Sequence, residues 1–386
     1  MNIDLTHQIS VKYHMPLLQP TSMPYTIHVV VGARPNQMKA APLLKALGAH
    51  PLFEPVLIDT GQHYDHELSG IFMQQFGMGK PAHSLEVGSG PHGEQTARIL
   101  ERYERLLLSS RPDATVVIGD INSTVACALA SVKLGIPLVH LEAGLRSGDR
   151  TMPEEINRIV TDSIADLLWT PSPDGDQHLL NSGVDKNKII RVGNIMIDTL
   201  SSMIKTVRES DFLNGIQFVN KDHVVITLHR PSNVDDESQL NLLLDEIHSV
   251  SQQFDIIWPL HPRTKARILS MGRYEELTKN PSIHITKPLG YIDFMKCIDE
   301  SRMVITDSGG IQEETTWLGV PCITLRPNTE RPITITEGTN VLCEPSSLTG
   351  EIQRILNEPR RAEISIDLWD GNTAERCVKS LTELFS

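Results

Sequence analysis

The sequence predicts an α/β protein made of two doubly wound, Rossmann-like domains facing each other across a cleft. Three observations predict it. The chain has 386 residues, too many for one ordinary core and suited to two domains. Short apolar runs alternate with stretches of helical spacing along most of its length, the rhythm of βαβ units around a parallel sheet. The alternation pauses over residues 193–215 and then restarts. The resulting partition is a tail at 1–25, an N-terminal domain at 26–200 and a C-terminal domain at 201–365, with a last helix in 366–386 packing back on the first domain.

The elements follow in order. Residues 26–31 are β-formers ending at Gly32, and 36–47 continue with helical spacing. Residues 56–60 form the next strand, stopped by Gly61. A long amphipathic helix at about 94–108 leads to a strand at 114–118 that ends on Gly119-Asp120. Asn122 or Ser123 then caps a helix running through Ala126 and Leu129. A buried strand at 137–141 and a helix at 154–163 follow, and helix 196–207 occupies the pause. In the second half, strands at 223–228, 256–260, 303–306 and 322–325 are interleaved with helices at 238–253, 291–300 and 311–318, and 373–385 is the last helix. Ligands in such folds bind off the carboxyl ends of the strands, so the cleft between the domains is the expected site.

Composition excludes several classes. With 35 Lys and Arg against 48 Asp and Glu the net charge is −13. An acidic chain without a long basic run has neither nucleic acid nor anionic membrane as its main partner. No stretch approaches the roughly 20 apolar residues of a membrane helix. The five cysteines, Cys127, Cys297, Cys322, Cys343 and Cys377, are far apart and odd in number. They read as buried thiols in a reducing compartment, which makes the cytoplasm the expected location. The first 25 residues carry Asp4 and are broken by Pro16, Pro20 and Pro24, unlike a signal peptide.

Charged and polar residues recur just after strand ends. After the first strand, Gly32-Ala33-Arg34-Pro35 offers a guanidinium fork for a diphosphate, with Lys39 one turn into the helix. Asp120 stands where a catalytic carboxylate would, although an Asx turn or cap explains it equally well. Glu142, in His140-Leu141-Glu142-Ala143-Gly144-Leu145-Arg146, closes an apolar strand, where a charge is costly unless paired or used. Arg146 would be its partner in a purely structural reading. In Pro153-Glu154-Glu155-Ile156-Asn157-Arg158, helix-dipole stabilisation alone accounts for Glu154 and Glu155. His229-Arg230 and His261-Pro262-Arg263 each end a strand.

The sharpest element is Thr306-Asp307-Ser308-Gly309-Gly310-Ile311-Gln312-Glu313-Glu314. Strand, Ser-Gly-Gly and helix in succession present free N–H groups and a helix N-terminus to an anion. Gly309 and Gly310 let a phosphate approach the main chain closely. Glu314 would bind ribose hydroxyls, or be simply a favourable first-turn acid, and Arg331 in Thr329-Glu330-Arg331-Pro332 adds a cation. Gly88-Ser89-Gly90-Pro91-His92-Gly93 matches G-x-G-x-x-G but follows only the short run 85–87, so a loop is the better reading than a nicotinamide site. No zinc-protease, P-loop or nucleophile-elbow pattern occurs, and no metal set is expected.

Taken in order, these segments, together with Gly61-Gln62-His63 and Val192-Gly193-Asn194, resemble the UDP-N-acetylglucosamine 2-epimerase family of the non-hydrolysing type. The resemblance runs from about residue 26 to the end. It implies the glycosyltransferase-B-like fold, usually as a homodimer, and interconversion of UDP-GlcNAc and UDP-ManNAc without NAD or another cofactor. By similarity Asp120, Glu142, Glu154 and His229 are catalytic. Nucleotide binding falls to Arg34, Lys39, the 288–294 loop with Leu289 and Phe294, Ser308, Gly309, Gly310, Glu314 and Arg331.

The chain also departs from the family pattern. Asn36 stands where many members have Glu, and Tyr64-Asp65 follows Gln62-His63 in place of the bacterial continuation. Substrate activation through Gln62, His63 and His261 is therefore open. So is the exact sugar, since relatives acting on modified sugars share the Gly-Ala-Arg-Pro start. The alternatives are a hydrolysing epimerase that releases UDP and ManNAc, a glycosyltransferase on the same fold, and a nucleotide-sugar sensor, against which three acids in one cleft argue.

Overall fold

Each half of the chain builds one wholly parallel sheet, because its strands are apolar on both faces and need helices on both sides. This computed structural model describes residues 24–62, 76–357 and 364–386, so the tail to residue 23 and His63 lie outside the described residues, as does the side chain of Arg34.

In the N-terminal half, β1 (Tyr25–Val31), β2 (Phe53–Asp59), β3 (His83–Ser84), β4 (Ala114–Ile118), β5 (Leu138–Leu141), β6 (Leu167–Thr170) and β7 (Ile189–Arg191) pair in the order β3-β2-β1-β4-β5-β6-β7. They are connected through α1 (Arg34–Ala49), α2 (His92–Ser109), α3 (Asn122–Lys133), α4 (Pro153–Ile164) and α5 (Pro173–Asn181). Helix α6 (Ile195–Glu209) then crosses to the second half. There β8 (His223–Thr227), β9 (Asp255–Pro259), β10 (Ile283–Thr286), β11 (Met303–Thr306), β12 (Cys322–Thr324) and β13 (Asn340–Leu342) pair as β10-β9-β8-β11-β12-β13. Their helices are α7 (Pro231–Val234), α8 (Glu237–Val250), α9 (Pro262–Ser270), α10 (Tyr274–Lys279), α11 (Tyr291–Asp299), α12 (Gly309–Leu318), α13 (Ile333–Thr336) and α14 (Leu348–Asn357).

Apolar clusters pack on both faces of each sheet. One of them joins the halves: Met38 on α1 and Met196 and Leu200 on α6 share a cluster with Tyr291 and Met295 on α11. The last helix, α15 (Thr373–Leu384), lies against α1 and α6 of the N-terminal half. Asp198 accepts the N–H groups of Thr373 and Ala374 at 3.0 and 2.7 Å, satisfying two donors that a helix start leaves open. Trp169 Nε1 donates to Ser380 Oγ at 3.0 Å.

Both sheets reverse strand order at an internal pair, β1/β4 and β8/β11. Such switch points open a crevice at the strands' carboxyl ends. The loops that enter it are 32–33 and 119–121 from one half, 228–230 and 307–308 from the other. This is why residues remote in sequence face one cleft.

Some local expectations need correction. Neither Asn122 nor Ser123 caps α3, because both side chains are engaged elsewhere. Asn122 faces Gln95 and His92 at 2.9 and 3.1 Å, and Ser123 Oγ meets Thr60 and Gln62 at 2.7 and 2.6 Å. Strands β3, β6, β7, β10 and β13 have two to four residues each, too few to show a period. The G-x-G-x-x-G match follows only β3, a two-residue edge strand, and α2 begins inside it at His92.

Candidate active site

Asp120 follows β4, and its carboxylate is held by the guanidinium of Arg158 on α4 at 2.6 Å. Arg158 is 1% exposed, so this charge serves the interior of the site rather than solvent. Asn157 donates to the Asp120 carbonyl at 2.9 Å. Asp120 is thus fixed at both backbone and side chain by consecutive residues of one helix.

Glu142 directly follows β5 with φ of 72°, in the left-handed region. A non-glycine residue there stores strain of about 1–3 kcal/mol, typical of functional sites. Its carboxylate is 5% exposed and pairs with Lys39 Nζ at 2.5 Å and, across the cleft, with Arg331 Nη2 at 3.2 Å. Arg146, the partner expected from sequence, binds Asp162 at 2.6 Å instead, because the left-handed turn carries Glu142 away from it. Burial pushes the Glu142 carboxyl up, but Lys39, Arg331 and Arg158 outweigh it and hold it well below the usual range. A Cβ on Gly119 would lie 3.1 Å from Glu142 Oε2, which places the Glu142 carboxylate directly over the residue preceding Asp120.

From the C-terminal half, Arg331 is 7% exposed and bonds Glu313 and Glu330 at 2.9 and 3.0 Å besides Glu142. Asn194 at the start of α6 reaches Glu313 at 2.9 Å, a second polar link across the halves. Ser308, Gly309 and Gly310 form the N-terminus of α12, and a Cβ on Gly309 would meet Arg331 Nη1 at 2.9 Å and Arg326 at 4.0 Å. Free helix N–H groups and two guanidinium groups converge there, a setting for an anion. His229 Nδ1 pairs with Asp307 at 2.8 Å, and Asp307 also accepts the backbone N–H groups of His229 and Arg230 at 2.9 and 2.8 Å. The His229 ring is therefore aimed by a buried carboxylate that burial would raise and these hydrogen bonds hold low. His261 lies beside it, ring centroids 5.8 Å apart. Leu289 and Phe294 are half-buried in the cluster around Tyr291.

Glu314 is buried, and burial raises its carboxyl to about 8, with Glu313 adding and Tyr291 and Lys39 opposing. A carboxyl whose folded value is raised destabilises the fold progressively as pH climbs from its ordinary 4.5 towards about 8. Glu314→Gln is therefore expected to flatten the fall in Tm over that range. An unchanged slope of Tm against pH in the variant would remove Glu314 as its source.

Glu154 is half-buried and lines a neighbouring polar cavity of about 250 Å³ with Gln62, His92, Gln95, Asn122 and Asn157. Gln62 accepts from Ser123 N and Oγ at 3.1 and 2.6 Å. Glu155, one residue on, accepts from Ser147 and Gly148 and organises their loop. The structure thus brings Lys39, Asp120, Glu142 and Arg331 together, sets Glu154 beside them and holds His229 on the opposite loop. A larger groove of about 1010 Å³ between α1, α6 and α15 includes none of these groups. Arg158, Asp307, Glu313 and Glu330 hold these groups in place through buried ion pairs, and their motifs alone assign them no role. A charge in an otherwise helical or apolar run was their only sequence signal.

Residues 45–382 match the family described as UDP-N-acetylglucosamine 2-epimerase. The chain is 38% identical over 364 residues to the UDP-N-acetylglucosamine 2-epimerase of Methanocaldococcus jannaschii, covering 92% of this chain and 98% of the relative. It is 37% identical over 320 residues to the UDP-2,3-diacetamido-2,3-dideoxy-D-glucuronate 2-epimerase of Pseudomonas aeruginosa, covering 82% and 87%. The crystal structure of the M. jannaschii UDP-GlcNAc 2-epimerase in complex with UDP-GlcNAc and UDP is similar with a TM-score of 0.85 at 38% identity, over 93% of this chain and 99% of that one.

Proposed function

We infer the chemistry from one premise: the chain belongs to the UDP-N-acetylglucosamine 2-epimerase family. It is an isomerase that interconverts UDP-GlcNAc and UDP-ManNAc. The hydrogen at C2 of the sugar is too weakly acidic for simple removal. A carboxylate takes it as the bond from C1 to the UDP oxygen breaks, leaving a C1=C2 double bond and free UDP in the site. A second acid protonates C2 on the other face, the UDP oxygen attacks C1, and the epimer forms with no net gain or loss.

This requires acids around C2 and cations at the leaving diphosphate. The observation that carries the reading is the 3.2 Å approach of Glu142 to Arg331, which sets an acid of one half against a cation of the other. Asp120, Glu142 and Glu154 share the proton transfers. His229, aimed by Asp307, stabilises the pyrophosphate over Ser308, Gly309 and Gly310, with Arg34, Lys39 and Arg331 adding charge, Leu289 and Phe294 flanking the base and Glu314 receiving ribose hydroxyls. The resemblance supports a homodimer, and the five buried free thiols support a cytoplasmic setting. Similarity to the Pseudomonas enzyme favours a diacetamido-uronate as second substrate.

Proton NMR of UDP-GlcNAc with the protein in D2O is the test. Growth of UDP-ManNAc signals with loss of the C2 hydrogen resonance is expected. Retention of the original hydrogen during turnover would overturn the mechanism, and accumulation of free ManNAc would make the enzyme a hydrolysing one.

A further inference from the structure

His140 is wholly buried on β5, two residues before Glu142. Its Nε2 lies 2.7 Å from the carbonyl of Gly119, and its Nδ1 lies 2.7 Å from Asp162 Oδ1. The carbonyl can only accept. Asp162 Oδ2 accepts from Gly144 N at 3.2 Å and pairs with Arg146 at 2.6 Å. The Gly144 N–H and the Arg146 guanidinium at its Oδ2 both need an ionised carboxylate to receive them, so Asp162 too is an acceptor. A neutral imidazole carries one N–H. Two acceptors at hydrogen-bond distance require two, so the ring holds both protons and its charge is matched by Asp162.

The pair grips two backbone turns that carry the chemistry. Gly119 precedes Asp120, and Gly144 follows Glu142 by two residues; their φ angles are 68° and 81°. At Gly144 a Cβ would lie 2.3 Å from the Gly175 carbonyl, so this turn has little freedom to find another position. Gly119 is tied to the ring, and Gly144 and Arg146 to the carboxylate that holds the ring.

We propose that His140, as a buried imidazolium paired with Asp162, is a positioning residue that keeps the Asp120 and Glu142 loops in mutual register for proton transfer at C2. The proposal rests on the reading of Asp120 and Glu142 as the acids. His140 touches neither substrate nor reacting atoms; it acts through the two turns. In His140→Gln the carboxamide offers an oxygen to one of the two acceptors, so one turn is released. In Asp162→Asn the carboxamide can donate to Nδ1, so the ring no longer needs its second proton; Nε2–H still serves the Gly119 carbonyl, while Arg146 loses its counter-charge.

The first measurement is a two-bond proton–nitrogen NMR correlation on the full chain labelled with 15N-histidine. His140→Gln identifies the His140 signals among the 15 histidines. Both ring nitrogens are expected to be protonated at neutral pH, and Asp162→Asn is expected to convert the ring to a neutral tautomer. A neutral ring in the native protein overturns the proposal, even where a variant does not fold. The second measurement is turnover of UDP-GlcNAc. For His140→Gln, kcat is expected to fall about 10- to 100-fold, as for misaligned reacting groups. KM should stay near native, and free UDP and 2-acetamidoglucal should leak because reprotonation is delayed. A merely structural residue would lower only the fraction of sites able to bind UDP. Native kcat per competent site with no glycal release overturns the proposal. Failure of the native protein to exchange the C2 hydrogen would instead sink the epimerase reading.

Discussion

Asp120→Asn is expected to lower turnover of UDP-GlcNAc by roughly 10²- to 10⁴-fold, the usual contribution of a positioned acid or base. The carboxamide keeps the shape of the side chain but cannot exchange a proton with C2. It also leaves Arg158, 1% exposed and bonded to Asp120 at 2.6 Å, short of a counter-charge. Fold and UDP binding therefore belong in the same experiment as deuterium exchange at C2. Exchange at the native rate would take Asp120 off the proton path. Loss of exchange with native UDP affinity would place the defect in the chemical step, because the Ser308–Gly310 turn proposed to receive the nucleotide is on the other half.

Arg331→Met is expected to damage both stability and binding. It removes the cation shared by Glu142, Glu313 and Glu330, all buried. Breaking a buried ion pair by deleting one member typically costs about 3–5 kcal/mol, since the remaining charges stay desolvated. Here three carboxylates would face one another where the diphosphate is proposed to bind. Weakening of UDP binding by about 2 kcal/mol or more, some 30-fold, is expected from the general cost of truncating one partner of a buried charge pair. Isothermal calorimetry with UDP and a urea melt measure the two effects. Native affinity would mean that Arg331 fastens the halves together without meeting the nucleotide. Because Glu142 belongs to one half and Arg331 to the other, the same substitution should also loosen the halves relative to each other.

Much of the fold is legible from local pattern. The longer strands show as unbroken apolar runs, as in β4, the amphipathic helices carry their period within a dozen residues, as in α2, and α12 announces itself through Ser308-Gly309-Gly310. The short edge strands do not, since two to four residues hold no period and their identity comes from pairing. The candidate site divides in the same way. Asp120, Glu142 and His229 stand after strands and could be singled out as charges that an apolar run must use or neutralise. Their partners could not be named.

What the sequence by itself determined is the α/β alternation, the division into two halves, the anion-receiving turn and the ordered motifs on which the family resemblance rests, because each is written in near neighbours. Only the tertiary structure decided which charge meets which. Glu142 is four residues from Arg146 but bonds Arg331, 189 positions away, and His140 joins Asp162 at a separation of 22. Coulomb attraction and desolvation depend on distance in space and on what surrounds a group, and only the packed sheets bring those groups together.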